Sequence, residues 1–283
     1  MTDNFKLLSD SEHIRKRFSM YGGSQVVQQE LTFVNAEFTK VNIVGGLLKV
    51  INEIIDNSVD EYVRTKGKYA TRIDVDIEAD GTIIVSDNGR GIPSVEIDTP
   101  DGKEYQMKAY KIPQSNKAKS KGKLGLFAIG MNGVGSMITF VTSSLFDAKS
   151  SDGNLQVQMV GKNGQIDRIR TKETSLKGTT VKFRPDYEFF GMETIDEAHT
   201  SMIEERVRSL ALAFDGVRFR FNKKIVRLKF ADYFGNCDMF NTETAIFGIA
   251  KSDGSHQSAS LVNGLSVKSG THIDYLLNTI MQD

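Results

Sequence analysis

The chain has 283 residues, enough for one large domain and part of another, with a core that needs no staples. Apolar residues at 39% and charged residues at 25% exclude a disordered tail, and the single cysteine, Cys237, excludes an internal disulfide or a cysteine-rich zinc site. Lys plus Arg equals Asp plus Glu at 36 each, without the basic excess expected of a DNA-gripping surface, so most contacts to any DNA partner are expected outside this chain. The start, Met1-Thr-Asp-Asn-Phe-Lys, has no apolar leader region, and no run is long enough to span a bilayer; together with the lone cysteine this predicts a cytoplasmic location and no membrane partner.

In chain order, residues 1–23 read as a polar N-terminal arm with a basic cluster, Arg15-Lys16-Arg17, and a turn-rich Met20-Tyr21-Gly22-Gly23-Ser24. From about Gly46 to Lys66, Leu47, Leu48, Ile51, Ile54, Ile55, Ser58 and Tyr62 recur at helical spacing, and a helical wheel sets Glu53, Asp56, Asn57 and Asp60 on the other side. Ile73–Ile77 and Thr82–Ser86, alternating around Ala79-Asp80-Gly81, read as a β-hairpin. Residues 109–123 are lysine-rich and nearly without apolar content, which reads as a loop. Gly130 to Gly135 runs into an apolar helical stretch, Ser136 to Val141. Strands are expected around 155–160 and 179–183, an amphipathic helix over 196–214 stopped by Gly216, and a last hairpin over 217–230. The polar run from Gly235 to Thr244 is a candidate linker, giving an arm at 1–23, a main domain at 24–234 and the opening of a second domain within 235–283.

Four constellations carry chemistry. Glu53, Asp56, Asn57 and Asp60 make a helix face rich in oxygen ligands, suited to a hydrated Mg²⁺ that keeps several waters, with Asn57 offering its amide oxygen and Glu53 placed to polarise a water. Taken alone, those residues read better as a plain solvated acidic face. Asp87-Asn-Gly89-Arg-Gly91-Ile92-Pro93 ends a strand in an acceptor suited to the amine of adenine, with glycines that let backbone approach a flat ligand. An ordinary Asx turn fits it too. Gly130-Met131-Asn132-Gly133-Val134-Gly135-Ser136 presents backbone N–H groups before a helix, where phosphate binds, and is neither a Walker loop nor a dinucleotide fingerprint. Lys177-Gly-Thr179-Thr180 enters a strand where a hydroxyl could back up the Asp87 carboxylate, although by itself it reads as an ordinary β-strand.

The order of these four segments resembles the GHKL ATPase superfamily, and the resemblance covers nearly the whole chain. It implies an α/β fold of the α+β two-layer kind, the Bergerat sandwich, with ATP held between a helical layer and a mixed sheet. In that likeness Glu53 is the general base, Asn57 the Mg²⁺ ligand and Asp87 the adenine reader. Gly91, Ile92 and Pro93 shape the base pocket, Gly130, Met131, Asn132, Gly133, Val134, Gly135 and Ser136 hold the phosphates, Thr179 supports the adenine side, and residues 111–123 form the ATP lid.

Within the superfamily, His13-Ile-Arg15-Lys16-Arg17-Phe18-Ser19-Met20-Tyr21-Gly22-Gly23, Asp56-Asn57-Ser58-Val59-Asp60-Glu61 and Ser260-Leu-Val-Asn263-Gly264-Leu-Ser-Val-Lys-Ser-Gly270-Thr271-His272 are similar to gyrase-type type II DNA topoisomerases. Tyr62-Val-Arg64-Thr65-Lys66 and the Gly-Thr-His-Ile-Asp ending most resemble their T-even phage branch, which implies a host-cytoplasm location. No histidine sits in a kinase phospho-acceptor motif. The likeness implies an ATP-driven homodimer closed through the N-terminal arm and a transducer domain that starts within 235–283, gating DNA strand passage, with cleavage carried elsewhere. In the family a transducer lysine reaches the γ-phosphate, and it is expected beyond residue 283. Phe18 and Ser19 depart from the usual Pro and Gly, Ala128-Ile129 from a pair including glycine, and Asn132 from a common histidine. Two other readings stand beside this one: a nucleotide-binding module with little turnover, and a MutL-like or chaperone-like clamp.

Overall fold

Residues 45–64 set the frame. Their apolar stripe, Leu47, Leu48, Val50, Ile51, Ile54, Ile55 and Val59, is buried along α3 (Gly45–Arg64), the longest helix. The computed structural model describes residues 10–99, 102–107, 135–235, 237–242, 245–251, 257–262, 265–267 and 269–282. Before α3 come two short helices, α1 (Asp10–Lys16) and α2 (Phe18–Gly22), and a hairpin of β1 (Gln28–Val34) and β2 (Glu37–Ile43). After it follow β3 (Arg72–Ile77), β4 (Ile83–Asp87), β5 (Ser94–Thr99), β6 (Gly102–Met107), α4 (Gly135–Val141), β7 (Ser143–Asp152), β8 (Leu155–Lys162), β9 (Gln165–Glu173) and β10 (Lys177–Pro185). Then α5 (Glu197–Ala213) leads to β11 (Arg218–Phe221) and β12 (Lys224–Val226), and the chain continues through α6 (Phe230–Phe234), β13 (Asp238–Asn241), β14 (Ile246–Ile249), β15 (Leu261–Val262), β16 (Leu265–Ser266) and α7 (Thr271–Gln282).

Eight strands form one sheet in the order β12-β11-β3-β4-β10-β7-β8-β9, mixed because β11 runs parallel to β3 while the other neighbours are antiparallel. Side chains alternate across a strand, so one face collects Ile73, Val75, Ile83, Val85, Phe146, Ala148, Val157, Met159, Val181, Phe183, Phe219 and Phe221, all buried in one core with α3, α4 and α5. This is the two-layer mixed α/β sandwich expected from the sequence. Among the described residues, the other face of the sheet is left open.

The N-terminal segment is tied down where it is described. Phe18 is fully buried, edge-on to Phe189 and Phe190 at 5.3 and 5.5 Å, while Arg15 donates to the Val141 carbonyl at 3.0 Å and to Asp186 at 2.5 Å. Glycine is required at position 46, because a Cβ there would sit 2.6 Å from the Ser24 carbonyl. The polar run from 235 to 244 contains a strand, β13, paired with β14 and capped by a stacked Phe240–Phe247 pair 5.3 Å apart. The last hairpin is shorter than its sequence pattern: it ends at Val226, and α6 takes over at Phe230.

Candidate nucleotide site

Helix α3 carries the site, because three of its side chains reach two different parts of the chain. Thr139 of α4 donates its hydroxyl to the Val50 carbonyl at 2.7 Å and so docks the start of α4 on α3. There the Asn57 amide donates to the Ser136 hydroxyl at 2.7 Å. Glu53 lies so close to Gly135 that a Cβ on that residue would run into the carboxylate. Glu53, Asn57, Gly135 and Ser136 are therefore one cluster, assembled from segments about 80 residues apart. Lys49, one turn before Glu53, forms an ion pair with its carboxylate. Gly130, Met131, Asn132, Gly133 and Val134, and the lysine-rich segment 111–123, lie outside the described residues.

One residue on, Ser58 points the other way and donates to Asp87 Oδ2 at 2.9 Å. Asp87 ends β4, where the antiparallel register sets Thr179 of β10 beside it. Its other oxygen accepts the Gly89 N–H at 2.8 Å, and the Thr179 backbone N–H also donates to the carboxylate. The hydroxyl that backs Asp87 is thus the one on Ser58, and Thr179 contributes backbone. Burial pushes the Asp87 carboxyl up to about 6, against the lowering effect of those three hydrogen bonds. The following turn is held by Arg90, whose guanidinium meets both Glu61 oxygens at 2.7 and 3.1 Å, and by Ser150, which accepts the Ile92 N–H at 2.5 Å. Gly91 has φ +88°, and a Cβ there would sit 2.6 Å from the Ser151 carbonyl, so only glycine fits. Gly91, Ile92 and Pro93 accordingly border the Asp87 side.

The acidic face of α3 differs from its sequence reading. Asp56 and Asp60 are buried, not solvated. Asp56 accepts two bonds from Arg206 of α5 at 3.1 and 2.5 Å, and burial pushes its carboxyl up while that guanidinium pulls it down. Asp60 pairs with Arg64 at 3.4 Å. Counter-charges at Lys49, Arg64, Arg90 and Arg206 balance the carboxylates of Glu53, Asp60, Glu61 and Asp56 on this helix. Ser58, Lys49, Arg206 and Ser150 escaped the sequence reading. Only Ser58 left a sign, as a hydroxyl inside an otherwise apolar stripe.

For a metal, the chemistry of the donors decides. Among the described residues no group of three or more His, Cys, Asp or Glu could enclose an ion. A magnesium ion fits the set that remains, because it takes few protein oxygens beside phosphate and water, and Asn57 stands one turn from Glu53 on the same helix.

Comparison with known proteins gives the family. Residues 43–188, just over half of the chain, match the family described as histidine kinase-, DNA gyrase B-, and HSP90-like ATPase. The chain belongs to that ATPase family. It is 34% identical to the DNA topoisomerase large subunit of Enterobacteria phage T4 over 99% of this chain and 56% of that protein. It is 29% identical to DNA topoisomerase 2 of Pisum sativum over 95% of this chain and 20% of that protein. The chain thus spans about half the length of the phage relative and a fifth of the plant one. Its structure superimposes on the ATPase region of Saccharomyces cerevisiae topoisomerase II with a TM-score of 0.82, at 26% identity, covering 100% of this chain and 80% of that one. The family match and the structural likeness establish an ATPase-type fold. No helix among the described residues is long and apolar enough to cross a membrane.

Proposed function

We propose that this chain is the ATP-binding and ATP-hydrolysing module of a type II DNA topoisomerase, acting in the cytoplasm of a host cell. The observation that carries the proposal is the double reach of α3: Asn57 toward the α4 start and Ser58 toward Asp87, at 2.7 and 2.9 Å. A ligand lying along that helix would present a base at one end and phosphates at the other, the extended form of ATP.

In this reading Asp87 accepts the exocyclic amine of adenine, with Gly91, Ile92 and Pro93 against the ring edge and the Thr179 amide holding the carboxylate in place. The backbone of residues 130–135 and the Ser136 hydroxyl take the phosphates at the start of α4. Asn57 would hold the magnesium ion, which when bound neutralises phosphate charge. Glu53 accepts a proton from the attacking water as general base, and Lys49 fixes the direction of its carboxylate. Met20, Tyr21, Val26, Val27 and Leu31 are exposed, supporting the N-terminal segment as part of an ATP-driven homodimer contact. Closure of that dimer would gate DNA passage, with cleavage and most DNA contacts outside this chain.

The test is hydrolysis. Glu53→Ala should bind MgATP with near-parent affinity and lose turnover by ~10²–10⁴-fold, the range for a general base. Full hydrolysis by the variant would remove Glu53 from the chemistry, and failure of the parent chain to bind MgATP would overturn the proposal as a whole.

A further inference from the structure

The balanced charge of the whole chain hides a local imbalance on the open face of the sheet. Alternation turns Ile169 toward the core and leaves Arg168, Arg170 and Lys172 of β9 on the open side. The register carries that face inward from the edge: Arg168, Arg170 and Lys172 lie beside Val160, Gln158 and Gln156 of β8, and Gln158 lies beside Lys149 of β7. All four cations are exposed, and none has an ion-pair partner among the described residues. By contrast Lys182 and Arg184 on neighbouring β10 are paired with Glu78 and Asp80 at 2.8 and 3.8 Å. Asp147 on this face already accepts the Gln158 amide at 2.8 Å, and the other acids of these strands, Asp152, Asp167 and Glu173, stand at strand ends or at the β8–β9 register shift.

We infer that this β7–β9 face is a docking surface for the sugar-phosphate backbone of duplex DNA. Charge complementarity names a polyanion: four cations without an ion-pair partner among the described residues stand in adjacent rows. The face carries no aromatic ring from these three strands toward solvent, so it has nothing on which splayed single-stranded bases would stack. Its cations come from neighbouring strands of one sheet, which suits a broad rod and sequence-independent phosphate contact. The choice of DNA as the polyanion rests on the topoisomerase reading, whereas the surface itself lies on the side of the sheet away from the nucleotide site.

The test uses the full chain and a fluorescent 25-base-pair duplex at several salt concentrations, with MgATP binding measured on the same samples. Four phosphate contacts predict a log–log salt slope of about −3.6, so a threefold rise in salt weakens binding by about fiftyfold. Arg168→Gln/Arg170→Gln/Lys172→Gln should bring the slope to about −0.9 and leave MgATP binding at the parent value. The same number of charges removed elsewhere, in Lys40→Gln/Lys66→Gln/Lys224→Gln, should leave the slope unchanged. An unaltered slope in the β9 variant, no duplex binding by the parent at low salt, or equal binding of a polyglutamate peptide of matched charge would each overturn the inference. Loss of MgATP binding by the parent would instead strike the nucleotide reading, so the two failures are distinguishable.

Discussion

Asp87 is asked to be charged where its surroundings resist charge, and that conflict can be measured. Its carboxyl stands at about 6 in the folded protein against an ordinary 3.8, because burial outweighs the bonds from Gly89, Ser58 and Thr179. A raised folded value means that between pH 3.8 and 6 the folded chain keeps a proton that the unfolded chain has lost. Stability therefore falls as pH rises through that window, and above it the ionised carboxylate costs up to roughly 3 kcal/mol. Asp87→Asn removes that cost while its amide oxygen can still accept the Gly89 N–H, so the nucleotide-free variant should melt at or above the parent temperature at pH 7.

Nucleotide binding should move the other way. The adenine amine needs an acceptor, and an amide can present a donor there instead, a mismatch worth about 1–3 kcal/mol or about five- to 150-fold in affinity. Adenine nucleotides should also bind the parent about tenfold more weakly at pH 5 than at pH 7, since most Asp87 is then protonated. Taking the ratio of parent to Asp87→Asn affinity at each pH removes the titration of the nucleotide's own phosphates. Calorimetry from pH 5 to 8, with melting curves on the same buffers, gives both quantities. A pH-independent ratio, or a variant that keeps ATP affinity, would refute the assignment of Asp87 to the base; a variant that melts well below the parent would refute the burial argument.

Gly135→Ala should bind MgATP less tightly and lose most turnover, because its Cβ runs into the Glu53 carboxylate; steady-state kinetics near the parent values would contradict the close approach. His199→Phe should lower stability by about 1–3 kcal/mol in denaturant melts, because the buried His199 Nε2 accepts the Val44 N–H at 2.8 Å at the start of α3 and a phenyl ring orphans that donor. Unchanged melting would show that water or a shift of the backbone satisfies Val44. Arg206→Met should cost about 3–5 kcal/mol at neutral pH, since it leaves the buried Asp56 carboxylate without its counter-charge, and Asp56→Asn in the same chain should recover part of that loss.

How far the sequence reaches depends on whether the deciding partner is local. α3 and the β3–β4 hairpin were legible because their apolar periods and the turn before Gly81, with φ +80°, are properties of the segments themselves. The β1–β2 hairpin was not, since its turn is Asn35-Ala36 with φ of 53° and 66°, and alanine gives no sign of a left-handed conformation. The acidic face misled for a related reason. Helical spacing put Asp56 beside Glu53 and Asn57, but the guanidinium that lets it be buried is 150 residues away on α5. The candidate residues from Glu53 to Thr179 were found by type and order, whereas the contacts that join them are made only by folding.

The pairing of Asn57 with Ser58 suggests why the arrangement is built on a helix. With 3.6 residues per turn, neighbouring side chains diverge by about 100°, so two consecutive residues can address opposite ends of one elongated ligand without any loop between them. Glu53, one turn earlier, shares the Asn57 side and so faces the start of α4 at Gly135 and Ser136. A helix also transmits its own rotation: turning α3 about its axis would draw Asn57 from Ser136 and Ser58 from Asp87 together. The buried Asp56–Arg206 pair resists that rotation, since its 2.5 Å contact from α5 reaches the residue immediately before Asn57. A buried ion pair is a weak source of net stability but a specific constraint on orientation. Its place beside Asn57 and Ser58 suits the constraint better than the stability, because the two hydrogen bonds it protects are those that tie α3 to Ser136 on one side and Asp87 on the other.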